Sequence, residues 1–223
     1  MRTVVFDLDG TLADTSGDLI AAGNACFEAL NLGAPLDPVA DALTAFGGGR
    51  AMLRLGSVRL GLDWTERDVD VQYPVLLKAY GAAIDVHTTL YPGAVAAVKA
   101  LRAAGFATSI CTNKPEGLAQ TLCTRLGIRD LFGALIGADT LPTRKPDSAP
   151  YLAAVVQAGG HVSRSILIGD TVTDRDTARA AGVPVVLVGF GPEGAGVARL
   201  NPDAMLSHYD ELPGLALHLL GPA

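Results

Sequence analysis

Asp7 and Asp9 stand two residues apart at the end of a short apolar run, Thr3-Val4-Val5-Phe6, and Gly10-Thr11 follows at once. Residues two apart in an extended segment project the same way, so the two carboxylates are aimed at one point. Two close anions repel and require a cation or a shared proton. An apolar run of this length predicts a buried strand of a parallel sheet, and ligands in open α/β sheets bind beyond the carboxyl ends of the strands. A loop with Asp as turn former and Gly10 at positive φ accounts for the glycine, but not for two acids closing an apolar strand.

Three further segments have the same setting. Cys111-Thr112-Asn113-Lys114-Pro115 ends a second apolar run and offers a hydroxyl and main-chain N–H groups at a helix opening, an end suited to an anion. Arg144-Lys145-Pro146 places positive charge just before another helix. Gly169-Asp170-Thr171-Val172-Thr173-Asp174 adds two acids after a third apolar strand. Together the four segments make a phosphoryl site. Oxygen ligands from several Asp, with no His or Cys cluster, suit hard Mg²⁺ rather than zinc.

The elements that must hold these segments alternate regularly from about residue 91. Helices are predicted over residues 94–104, 116–126, 148–158 and 174–181, with Gly105, Gly127 and Gly182 as stops. Strands are predicted over residues 106–111, 133–137, 165–168 and 184–188. Strands separated by single helices imply parallel βαβ units and an α/β, doubly wound parallel sheet. Residues 16–83 break the rhythm, with helical apolar spacing around 19–30, 51–60 and 69–80 and no convincing strand. The expected organisation is therefore a core of residues 1–15 and 84–223, with an inserted all-helical domain of residues 16–83 covering the site as a lid.

Composition narrows the function classes. A net charge of -6, with no block of Lys or Arg, argues against a nucleic-acid track or an anionic membrane surface. Apolar residues reach 49%, but in short runs broken by Gly, Pro and charge, so no membrane span is expected. No secretory signal is read at the N-terminus. Cys26, Cys111 and Cys123 show no CxxC spacing and are expected to be reduced, in a cytoplasmic protein. His87, His161, His208 and His218 form no metal-binding pattern.

Taken in order, Asp7-x-Asp9-Gly10-Thr11, Thr112-Asn113, Lys145-Pro146 and Gly169-Asp170-x-x-x-Asp174 resemble the four motifs of the haloacid dehalogenase-like phosphatase superfamily. The resemblance covers essentially the whole chain and implies a Rossmann-like core with a helical cap. Asp7 to Asp14, Cys111 to Pro115 and the helical insert look most like the phosphoglycolate phosphatases. The resemblance makes Asp7 the nucleophile that becomes an aspartyl-phosphate, and Asp9 the general acid and then base. It implies Mg²⁺ held by Asp7, the main-chain carbonyl of Asp9 and Asp170, with Asp174 orienting metal-bound water or Lys145. It places Thr112, Asn113 and Lys145 on the phosphoryl oxygens. Phe46-Gly47-Gly48-Gly49-Arg50 is similar to the glycine-containing cap segment, which would bring Gly48, Gly49 and Arg50 near the leaving group.

Each role has a plainer alternative. Thr112 and Asn113 could cap the next helix, and Lys145 could be a solvated loop charge. The glycines before Arg50 could form a turn between two helices, with Arg50 facing solvent. Asp14 is expected to cap or fix a loop, Arg175 and Asp176 to lie at the surface, and Cys111 to pack as a small apolar residue. The expected function is Mg²⁺-dependent hydrolysis of a small phosphorylated metabolite, first of all 2-phosphoglycolate, by a monomer or homodimer. A phosphosugar phosphatase or phosphoglucomutase-like phosphotransferase is the alternative on the same scaffold. A haloacid dehalogenase would need no acid at position 9, and a non-catalytic module would show a degenerate site.

Overall fold

Strand β1, Thr3–Phe6, is wholly buried because it lies in the middle of a parallel sheet, with neighbours on both edges. The computed structural model describes residues 1–221. Along the chain follow β2 (Ala13–Asp14), α1 (Ser16–Glu28), α2 (Ala42–Phe46), α3 (Gly49–Arg59), α4 (Glu66–Ala82) and β3 (Thr89–Leu90). Next come α5 (Ala94–Ala103), β4 (Ala107–Cys111), α6 (Glu116–Arg125), β5 (Ala134–Ile136) and α7 (Ala149–Gln157). The chain continues with β6 (Ser165–Gly169), α8 (Val172–Ala181), β7 (Val185–Val188), β8 (Ala204–Leu206) and α9 (Leu212–Leu220). The main sheet has the order β5-β4-β1-β6-β7-β8, and β2 pairs with β3 in a separate ribbon. All pairings in the main sheet are parallel, with Phe6 level with Ile110 on one side and Ile168 on the other. Hence β1, β4 and β6 end together, and the loops that follow them converge.

The chain divides into two compact units, residues 1–13 with 90–223, and residues 14–89. In the first, Val5, Cys111, Ile136, Tyr151, Leu167 and Leu187 meet in one fully buried cluster against α7 and α8. On the sheet's opposite face Phe6 packs edge-on against Phe132, ring centroids 5.9 Å apart. Continuous apolar strands are what burial on both faces demands.

The second unit holds α1 to α4. It runs beyond the expected residue 83 because buried Asp18 accepts hydrogen bonds from the N–H groups of His87 and Thr88 and from the Thr88 hydroxyl, at 2.7 to 3.1 Å. Helix α4 begins earlier than the apolar spacing suggests, at a capping box between Thr65 and Asp68, and continues through Pro74. Helix α2 was not expected; five residues are too few to show a period. In the first unit, β8 and α9 extend a series that the sequence pattern closes at residue 188. Among the described residues no helix is long and apolar enough to cross a membrane.

Candidate active site

The β1 ladder carries Asp7 into the site, its N–H donating to Ile168 C=O at 2.9 Å. The chain then turns back on itself. Gly10, at φ +78°, donates to Ala13 C=O at 2.9 Å, and a Cβ at Gly10 would lie 2.3 Å from Asp170 Oδ2. Only glycine combines that backbone with that approach. The turn brings the Thr11 hydroxyl to Asp170 Oδ1 at 2.8 Å, so the loops after β1 and β6 are joined.

Among the described residues, Asp7, Asp170 and Asp174 each offer a carboxylate oxygen within 4.8 Å of one another, and all three are buried. Lys145 Nζ lies 3.0 Å from Asp7 Oδ2 and 2.7 Å from Asp174 Oδ1. At 2% exposure Lys145 is a buried ion held by buried carboxylates, which excludes the reading of a solvated loop charge. Burial is the first cause that raises the Asp7 carboxyl to about 6, with Asp174 and Asp9 adding to it and Lys145 opposing it. Burial likewise raises Asp170 well above the ordinary carboxylate range, with Asp174 and Asp7 adding repulsion. Burial lowers the tendency of Lys145 to hold its proton, but Asp174 and Asp7 outweigh this and keep it charged. Two of the three buried carboxylates, Asp7 and Asp174, share this ammonium, and Asp7 and Asp170 still resist ionisation. A hard cation with oxygen ligands fits this donor set.

The two oxygens of Asp174 are already occupied. Oδ1 takes Lys145, while Oδ2 accepts from the Asp170 and Thr171 N–H groups and from the Thr171 hydroxyl at 2.7 Å. This capping box also starts α8 at Val172, earlier than the expected residue 174. The Asp9 carboxylate lies apart from the cluster, paired with Lys114 Nζ at 2.8 Å. Thus the geometric trio is Asp7, Asp170 and Asp174, and the Asp9 side chain is not part of it.

Thr112 follows β4 and is buried, its Oγ1 accepting the Lys114 N–H at 3.2 Å. Asn113 Nδ2 donates to Lys145 C=O at 3.0 Å, tying the second segment to the third. Neither residue caps α6, whose preceding residue is Pro115 with no side-chain cap. The Cys111 thiol is raised to about 12, chiefly by burial, so it packs beneath the site as an inert group. Arg175 and Asp176 pair with each other at 2.7 Å, and Asp14 Oδ1 receives the N–H and hydroxyl of Ser16.

Gly48, Gly49 and Arg50 belong to the helical unit. Gly48 adopts φ +93° just before α3, and a Cβ on Gly49 would press on Leu76 and Tyr73 of α4 at 3.0 Å. The Arg50 guanidinium pairs with Asp70 at 2.6 Å and lies over the Tyr73 ring, 4.0 Å from its centroid. Gly49 thus serves close packing of α3 on α4, Gly48 supplies the positive-φ turn before α3, and Arg50 is tethered to α4.

Two residues in this site escaped the sequence reading. Lys114 sits inside the second motif, yet nothing in its spacing distinguishes its buried pairing with Asp9 from a surface charge. Tyr209 donates its hydroxyl to Thr11 C=O at 2.7 Å from 198 positions away, and no local pattern announces it.

A model of the haloacid dehalogenase-like hydrolases matches residues 1–182. The chain belongs to that family. It is 37% identical over 211 residues to a phosphoglycolate phosphatase of Mesorhizobium japonicum, covering 94% of this chain and 92% of that one. It is 38% identical over 222 residues to a phosphoglycolate phosphatase of Cereibacter sphaeroides, covering 99% and 100%. Among solved structures, a predicted phosphoglycolate phosphatase from Haemophilus somnus superposes with a TM-score of 0.82 at 24% identity, covering 96% of this chain and 97% of that one. A family hydrolase from Deinococcus radiodurans, with bound phosphate and sodium, superposes with a TM-score of 0.73 at 25% identity, covering 100% and 99%. The family member described here is phosphoglycolate phosphatase-like and an enzyme of the phosphoric monoester hydrolase class.

Proposed function

We propose that the protein is a Mg²⁺-dependent phosphatase that hydrolyses 2-phosphoglycolate to glycolate and phosphate through an aspartyl-phosphate on Asp7. The observation that carries this reading is the buried Asp7–Asp170–Asp174 cluster around Lys145, with Asp9 two residues beyond the nucleophile. The names of the relatives above support the substrate, and the Deinococcus radiodurans structure supports an anion and a cation in this fold.

Asp7 and Asp170 would hold Mg²⁺ with the main-chain carbonyl of Asp9. When bound, Mg²⁺ supplies positive charge that offsets repulsion between the Asp7 carboxylate and the phosphoryl oxygens. An Asp7 oxygen attacks phosphorus, the bond to the leaving oxygen breaks, and Asp9 gives that oxygen its proton. Water then attacks the phosphoaspartate while ionised Asp9 takes its proton, and Asp7 leaves as a free carboxylate with phosphate released. Lys145 balances charge beside Asp7, held there by Asp174. The Thr112 hydroxyl and the Asn113 N–H complete the cradle for the phosphoryl oxygens.

The deciding experiment is phosphate release from a panel of phosphorylated metabolites, with kcat/KM compared and EDTA as control. Preference for 2-phosphoglycolate, loss of turnover with EDTA and its return with Mg²⁺ are expected. Transfer to a sugar acceptor without net hydrolysis would replace this reading with the phosphotransferase one.

A further inference from the structure

Lys114 is a buried cation with no part in the mechanism above. Its side chain is 4% exposed, and its Nζ lies 2.8 Å from Oδ1 of Asp9, whose side chain is 19% exposed. The backbone that carries it is fixed on both sides. Its N–H donates to Thr112 Oγ1 at 3.2 Å, and its C=O accepts from the Ala138 N–H at 2.9 Å. The long side chain therefore reaches from an anchored point after β4 to the loop after β1. Lys145 serves a different partner set, Asp7 and Asp174. The two lysines are divided between the two catalytic carboxylates.

An aspartate has three staggered χ1 wells, and proton transfer needs the one that points at the reacting oxygen. We propose that Lys114 is a positioning residue that selects this orientation of Asp9 and does not itself act on the phosphoryl group. The proposal rests on the reading of Asp9 as general acid and base. Holding a group in the productive geometry is worth about 10²-fold for a misplacement near 1 Å.

The test is a double-mutant cycle on two substrates, comparing wild type, Lys114→Met, Asp9→Asn and the double variant. One substrate is an alkyl phosphate, 2-phosphoglycolate or glycerol 2-phosphate, whichever is turned over faster. The other is p-nitrophenyl phosphate, whose leaving group needs little help from an acid. Lys114→Met is expected to lower kcat on the alkyl phosphate by about 10- to 100-fold while KM moves less than about threefold. The loss should be smaller on p-nitrophenyl phosphate. In the Asp9→Asn background the same change should cost less than about twofold, because groups acting as a unit are not additive. Lys114→Arg, which keeps the charge but moves its donors, is run through the same cycle and carries it should Lys114→Met not fold. It should show the same non-additivity with a smaller loss. An equal factor in both backgrounds, an equal loss on both substrates, or a raised KM at constant kcat would place Lys114 on the phosphoryl group and overturn the proposal. No loss in the single variant overturns it as well. Asp9→Asn with wild-type kcat on the alkyl phosphate would instead overturn the acid–base reading beneath it, and the proposal with it.

Discussion

The Tyr209 hydroxyl donates a 2.7 Å hydrogen bond to the Thr11 carbonyl, and the Thr11 side chain in turn donates to Asp170 at 2.8 Å. Tyr209, after β8, thus supports the loop that follows Asp7. Burial raises the Tyr209 phenol far above its ordinary value, so it remains a neutral donor. Phe190 packs 5.1 Å from its ring and Tyr91 5.2 Å from Phe190, which fixes the phenol in place. Tyr209→Phe keeps the ring packing and leaves the Thr11 carbonyl without this donor. We expect a loss of about 1–2 kcal/mol, the cost of a broken buried hydrogen bond, and a lower kcat with little change in KM. Urea unfolding beside steady-state kinetics checks both. Unchanged stability and kcat would mean the loop stands without Tyr209.

Lys145→Met should remove activity and also stability. Asp7 and Asp174 would be left as buried carboxylates without their ammonium, and breaking such a pair typically costs about 3–5 kcal/mol. Loss of charge balance on the phosphoryl group should lower kcat/KM by about 10²–10³. Adding Asp174→Asn should recover part of the stability, since it removes one unpaired charge, yet no activity. Thermal melts of the single and double variants measure the recovery. A double variant less stable than Lys145→Met would show that the Asp174 capping bonds outweigh its charge.

The core of the site was readable because each motif follows an apolar strand, and parallel register brings those strand ends together. β4, β1 and β6 are neighbours in the sheet, so the strand ends that lead into Thr112, Asp7 and Asp170 lie side by side although they are far apart in sequence. What the sequence pattern missed lacks such a signal. β8 is three residues long, and its Met205 is half-buried, so no alternation develops. The pairing of Lys114 with Asp9 depends on where two loops cross, and the Tyr209 contact depends on the turn after β8. Asp174, the conspicuous acid, suggests a helix start there, whereas the capping box makes that residue the third of α8.

Gly10→Ala should disable the site without touching a catalytic group. Alanine at φ +78° is strained, and its Cβ would lie 2.3 Å from Asp170 Oδ2. A positive-φ alanine costs on the order of 1–2 kcal/mol, and displacement of Asp170 adds loss of cation affinity. The expected outcome is a Mg²⁺ requirement raised about tenfold or more, in the range seen for altered metal surroundings. Titration of activity against Mg²⁺ reads this directly, and a wild-type Mg²⁺ requirement would show that Asp170 moves aside freely.

In the metal-free protein the contribution of Asp7 and Asp170 to stability should fall as pH rises through the acid range. Asp7 titrates near 6 in the folded protein against an ordinary 3.8, and Asp170 is shifted the same way. Between about pH 4 and 6 these two groups therefore bind more protons in the folded state than in the unfolded one, and their contribution to stability falls with rising pH. This sign is opposite to that of a salt-bridged carboxylate. A two-unit shift corresponds to about 3 kcal/mol at most. Asp7→Asn removes that penalty, so at pH 7.5 in EDTA it should be as stable as wild type or more so, by about 1–3 kcal/mol. The same variant should lose about 10³-fold or more in kcat, as loss of a nucleophile does. Mg²⁺ should raise the wild-type Tm at pH 7.5, where the carboxylates are ionised, and far less at pH 4.5. Urea midpoints at the two pH values, with and without Mg²⁺, test the whole pattern. An Asp7→Asn variant that is less stable than wild type at pH 7.5 would show that the Lys145 pair outweighs desolvation, and the predicted sign would be wrong.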